Sequence, residues 1–205
     1  MADGGEDRRE ARRLRSEQRR AEILAAAGRA LDDQGFLPLP IEQIAREAGA
    51  STALIYAYFP KQVTLYNALL AHALEALAGK IARLKPGKFE EEALAAALLY
   101  FEDVADHGPL LHLLMTDAHL GGARDGDAMA LRNSLWLRFL RASRAYVDLP
   151  PEERVAALAI LLSIPEEVGR LAHGGEIARE RARVLCGKLM LSALRGLRDE
   201  GRPRR

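Results

Sequence analysis

From Leu39 to Leu65 the chain reads LPIEQIAREAGASTALIYAYFPKQVTL, two short apolar-periodic segments parted by the small-residue turn Ala48-Gly49-Ala50-Ser51. That is the grammar of a helix-turn-helix, and the rest of the chain has to be arranged around it. Ile41, Ile44, Ala45 and Ala48 fall at i, i+3, i+4 and i+7, one stripe of a helix of two turns. Pro40 suits its first turn, where a missing N–H costs nothing, and Gly49 stands where the chain leaves it in a left-handed conformation. Ser51 supplies an N-cap oxygen for a second helix, which Ile55 and Phe59, four apart, pin onto the same core. Thr52, Ala53, Leu54, Tyr56, Ala57 and Tyr58 are left on or near its outward side.

Upstream, Ile23, Leu24, Ala27, Ala30 and Leu31 share one face of a longer helix that ends before Gly35, with Phe36 expected to plug the small core. Seven arginines lead into it: Arg8, Arg9, Arg12, Arg13, Arg15, Arg19 and Arg20. They suit a phosphate backbone or an adjacent minor groove. They equally suit a solvated face, because Glu6, Asp7, Glu10 and Glu17 are interleaved at pairing distance. Downstream, Val63 to about Leu84 reads as a helix of roughly 30 Å, broken at Lys85-Pro86-Gly87. Further helices are expected at about Phe89–Asp106, onward to His119, Asp127–Val147, Pro151–Ala172 and Ile177–Asp199, giving about nine in all.

Alanine, leucine, arginine and glutamate dominate and no run alternates like a strand, so the expected fold class is all-α. With 205 residues, 49% of them hydrophobic, the chain can bury a sizeable core beside a small module. Formal net charge is only +1, so any nucleic-acid surface must be local. The single Cys186 has no internal partner, which suits a reducing compartment. Neither a signal-like leader nor a spanning apolar run is evident, and a cytoplasmic, nucleoid-associated location without membrane contact is expected.

Ile44-Ala45, Ala48-Gly49-Ala50-Ser51 and Ile55-Tyr56-Ala57-Tyr58-Phe59 together resemble the signature of the TetR (tetracycline-repressor-like) transcriptional regulators. Arg20-Ala21-Glu22-Ile23-Leu24-Ala25-Ala26-Ala27, followed by Gly35-Phe36, is similar to that family's first helix and turn. The strong resemblance covers roughly 17 to 76. It implies a three-helix helix-turn-helix module joined to a C-terminal helical bundle, dimeric through its last two helices. The implied domains are a basic extension at 1–16, a DNA-binding domain at 17–77 and a ligand-binding and dimerisation domain at 78–205.

On that basis Arg19, Arg20, Arg46, Ser51, Thr52, Ala53, Leu54, Tyr56, Ala57, Tyr58 and Lys61 are the expected DNA-binding residues. Hydroxyls and helix N-terminal N–H groups fix register on phosphates, while one or two side chains read bases. Tyr56 also fits a core aromatic with its hydroxyl at the rim. The chain departs from its relatives at three places. Leu54 and Ala57 stand where polar or aromatic groups are common, which with Ala53 favours thymine methyls and shape over bidentate bonds. Gln62 occupies the position of a customary lysine, and Lys61 beside it is the expected replacement. Pro40 stands where a capping threonine is frequent, and Arg46 is the expected substitute phosphate contact.

Leu158 and Leu162 on the penultimate helix, and Leu185, Leu189 and Leu194 on the last, belong to apolar stripes wide enough for a deep core or a subunit interface; with the resemblance, the interface is expected. Tyr100, Phe101, His112, Met115, His119, Trp136, Phe139 and Glu166 are the expected effector pocket, although such a stripe also fits an ordinary core. Pro165 interrupts its helix, and Ser163 and Glu166 are spaced as a capping box that would restart it. No catalytic, metal or cofactor site is expected: the His and Glu spacings do not build a carboxylate metal site, and the glycine pairs lack a phosphate-binding context.

The expected function is a dimeric regulator, a repressor by the family's habit, that binds a palindromic duplex operator and responds to a small, largely apolar effector. The alternative is an all-helical carrier or enzyme with a vestigial helix-turn-helix.

Overall fold

The computed structural model describes residues 3–116, 126–147 and 149–199. Among these, nine helices and no strand are found: α1 (Asp3–Gln34), α2 (Ile41–Glu47), α3 (Thr52–Tyr58), α4 (Gln62–Ala82), α5 (Phe89–His107), α6 (Leu110–Thr116), α7 (Gly126–Ser143), α8 (Pro151–His173) and α9 (Arg179–Asp199). None is long and apolar enough to cross a membrane. The chain divides into two compact units, the described residues of Met1–Leu70 with His112–Arg124, and those of Ala71–Leu111 with Asp125–Arg205.

The first unit contains α1 to α3, the start of α4 and most of α6. Ile23, Leu24, Ala27, Ala30 and Leu31 of α1, Ile41, Ile44 and Ala45 of α2, Ile55 of α3, and Leu65, Tyr66, Leu69 and Leu70 of α4 are all buried. Helices this short are unstable alone, and their burial faces hold them. The expected plug at Phe36 is corrected: that ring is 62% exposed, while Leu37 and Leu39 are buried in its stead. Gly35 and Gly49 both carry positive φ, 75° and 57°, where a side chain would be strained. Pro40 sits one residue earlier than expected, as the N-cap of α2, and its carbonyl accepts from Gln43 and Ile44 at 3.1 and 3.3 Å.

In the second unit, Ala93, Ala97 and Phe101 of α5 meet Leu158, Leu161 and Val168 of α8 and Ala182, Cys186, Met190 and Leu194 of α9 in one core. Small residues let the helices come close. A Cβ on Gly169 would lie 2.7 Å from the Val104 Cβ, so only glycine fits there. Pro165 is buried within α8, which runs on through it. No capping box restarts the helix, since α8 is unbroken there, and the Ser163 hydroxyl donates to the Ile160 carbonyl at 2.6 Å.

Candidate nucleic-acid interface

α3 is seven residues long, about 10 Å at the usual rise. Its start follows from Ser51, whose Oγ accepts the Leu54 N–H at 3.1 Å. The hydroxyl proton is left over for another acceptor. Ile55 alone among the seven is fully buried, and Phe59, just past the end, closes the contact. Everything else faces outward to some degree: Thr52, Ala53 and Ala57 are exposed, Tyr56 is 48% exposed, and Leu54 and Tyr58 are half-buried. This face matches the sequence expectation residue by residue. It presents two methyl groups, a threonine and two phenols at the width a major groove admits.

The cations around it divide into two kinds. Arg46 and Lys61 are exposed, and Lys61 opens α4, its carbonyl accepting from Thr64 at 3.0 Å. Arg19 is partly engaged within the unit: its guanidinium donates to the Ala48 carbonyl at 3.3 Å and pairs with Glu22 at 3.0 Å. It thereby ties α1 to the turn before α3. The Arg20 guanidinium lies 5.0 Å over the Phe59 ring, a cation–π contact that braces the end of α3. Arg12, Arg15, Ser16 and Arg19 of α1 and Leu54 and Tyr58 of α3 line an open groove of about 410 Å³. The Ser16 and Tyr58 hydroxyls stand 3.5 Å apart across it, long for a hydrogen bond yet close enough to put both on one ligand.

Three side chains whose bracing role the sequence did not reveal hold the module's shape. Between Pro38 and Pro40, which have no N–H, the one available donor is that of Leu39; it reaches the Tyr66 hydroxyl at 2.8 Å. The Leu39 carbonyl accepts from Gln62 Nε2 at 2.9 Å. Gln34 Nε2 donates to the Phe36 and Pro38 carbonyls at 2.8 and 2.9 Å. Gln62 is therefore a structural tie. The signal was present in the proline spacing, which strips the segment of its own donors.

The other expected site residues lie elsewhere. In the second unit, Phe101 is fully buried in the core, and half-buried Trp136 and Phe139 pack against that same cluster. The Phe101 ring packs with residues of α8 and α9. Tyr100 donates to Glu166 at 2.8 Å, both half-buried; burial, aided by the Glu166 charge, pushes the phenol above its usual range. His112 is exposed and Met115 half-buried, and both belong to the first unit. His119 lies outside the described residues. Of the expected interface leucines, Leu158 and Leu194 are fully buried inside the chain's own core. Leu162, Leu185 and Leu189 are exposed, and Val155, Ile160 and Val184 join them, Ile160 at 68%.

Residues 23–69 match the family model described as bacterial regulatory proteins, tetR family. The HTH-type transcriptional regulator HbdR of Aromatoleum sp. is 39% identical over 174 residues, 85% of this chain and 66% of the relative. The chain belongs to the TetR family. A TetR-like regulator from Rhodococcus sp. RHA1 superimposes with a TM-score of 0.65 at 22% identity, over 90% of this chain and 97% of its own. LfrR from Mycobacterium smegmatis, solved in complex with proflavine, does so at 0.67 and 18%, over 87% and 97%. These two share the fold. The matched stretches span between 41% and 66% of the length of the curated relatives, short of two thirds in each case.

Proposed function

We propose that this TetR-family chain is a transcriptional regulator, a repressor, that binds a palindromic operator as a homodimer in the cytoplasm, associated with the nucleoid. One observation carries the reading: α3 buries Ile55 and turns Thr52, Ala53, Tyr56 and Ala57 outward. Within the interface Thr52 reads a base edge, Ala53, Leu54 and Ala57 meet thymine methyls, and Ser51, Tyr56, Tyr58, Arg46 and Lys61 hold phosphates. Arg19 and Arg20 act chiefly by positioning. Val155, Ile160 and Leu162 on α8 and Val184, Leu185 and Leu189 on α9 are exposed and apolar, which supports a two-fold contact between copies. A second copy doubles the sequence read.

A small, largely apolar effector binds in the second unit, with the Tyr100–Glu166 pair as its polar anchor. Proflavine in the structural relative LfrR is a precedent for a ligand in this fold. To release DNA it must bind the DNA-incompetent arrangement more tightly than the competent one.

The test is selection of duplexes from a random pool, followed by anisotropy titration over a range of salt. One inverted repeat should be enriched, with affinity falling steeply with salt. Thr52→Ala should relax preference at one position per half-site, at a cost of about 1–3 kcal/mol. Binding with no sequence preference at any salt would overturn the reading.

A further inference from the structure

Arg8, Arg12, Arg15 and Arg19 stand at i, i+4, i+7 and i+11, within an arc of roughly 60° on an α-helix. Glu10, Arg13 and Glu17 occupy the opposite side of α1, where Arg13 is neutralised by Glu10 at 2.7 Å and Glu17 at 3.6 Å. The Glu10 hydrogen bond holds the Arg13 guanidinium above its usual range. Arg19 has Glu22. For Arg12 and Arg15 no carboxylate partner is found among the described residues, and Arg15 reaches only its own helix, at the Ala11 carbonyl 3.3 Å away. Together with Arg19 they line the groove beside Leu54 and Tyr58. α1 thus gathers four of its arginines on the side opposite Glu10 and Glu17. The matched family region begins at residue 23, beyond Arg12 and Arg15.

We infer that this groove is a second DNA contact, built by the arginine face of α1 and by Leu54 and Tyr58 of α3. It takes the phosphate backbone of the duplex flanking the half-site, with Arg12 and Arg15 as its cations and the Ser16 and Tyr58 hydroxyls as its neutral donors. Arginine presents a planar fork matched to phosphate. Its contribution is to affinity and reach along the duplex, and it carries no base preference.

The inference rests on the DNA-binding reading above, and its test uses the full chain with the duplex selected there. R12Q/R15Q removes two phosphate contacts, lowering the slope of log K against log salt by about 1.8 and the affinity on the order of 10- to 100-fold near 0.1 M salt. The ranking of operator variants stays unchanged. R13Q, whose cation is already neutralised, leaves slope and affinity close to wild type. Trimming the duplex to the half-site edges costs wild type the same factor and costs the double variant nothing further, the coupling that shared contacts require. An unchanged slope in R12Q/R15Q, an equal loss in R13Q, or additive losses on trimming each overturns this groove while leaving the regulator reading intact. A wild-type chain that binds no duplex takes both down.

Discussion

The first unit and the second solve opposite problems with the same material. In α2 and α3, seven residues each, there is too little helix for burial alone to fix position, and side chains clasp the backbone: Ser51 on Leu54, Gln34 on Phe36 and Pro38, Tyr66 and Gln62 on Leu39. The outer surface can then be polar and cationic. In α5, α8 and α9 the helices are long, alanine and glycine bring them together, and charged pairs stitch only the rim. Arg179 and Arg183 bind Glu102, and Arg195 binds Glu90 at 3.0 Å; exposed pairs of that kind contribute about 0–1 kcal/mol each. The apolar residues left over there face outward. One surface suits a polyanion, the other suits protein.

The contrast is most exposed to failure at Phe59. Phe59→Ala should cost about 3–5 kcal/mol and, by hydrogen exchange, strip protection from amides of α2 and α3 while those of α5 and α9 keep theirs. Equal loss in both would mean one cooperative body and end the comparison. A smaller effect sharpens it. Tyr66→Phe keeps the ring but orphans the Leu39 N–H, at a cost of about 1–3 kcal/mol, read from chemical denaturation; a loss below that range would show burial, not clasping, to be the hold on α2.

The smallest effect lies in the second unit. Hydrogen bonds from Tyr146 and Arg195 hold the Glu90 carboxyl below the usual range. A depressed carboxylate stabilises the fold above its ordinary range and ceases to as pH falls through its folded value. Glu90→Gln should therefore be slightly less stable at neutral pH and show a flatter decline on acidification. An identical acid limb would remove the pair from the account.

α3 was legible in the sequence because its determinants are local. Ser51, Gly49 and the four-residue step from Ile55 to Phe59 fix start, exit and buried side within a dozen residues. The fold class and helix count follow from similar patterns. What was not legible depended on distance. Between Gly35 and Pro40 no periodicity separates Phe36 from Leu37 and Leu39, and the choice is made by Tyr66 and Gln62, 27 and 23 residues beyond Leu39. On α8 and α9 the stripes are apolar on more than one side, so Leu158 and Leu194 could not be told from Ile160 and Val184 until the core had been assembled. Pro165 suggested a break, yet α8 continues through it with the ring buried.

The clasp on Leu39 reaches further than local order. Both its backbone groups are held by the opening turns of α4, flanked by prolines that permit no slack, and α2 begins one residue after Pro40. Whatever tilts the beginning of α4 must carry the helix pair along with it, so the connecting segment behaves as a coupling rod instead of a hinge.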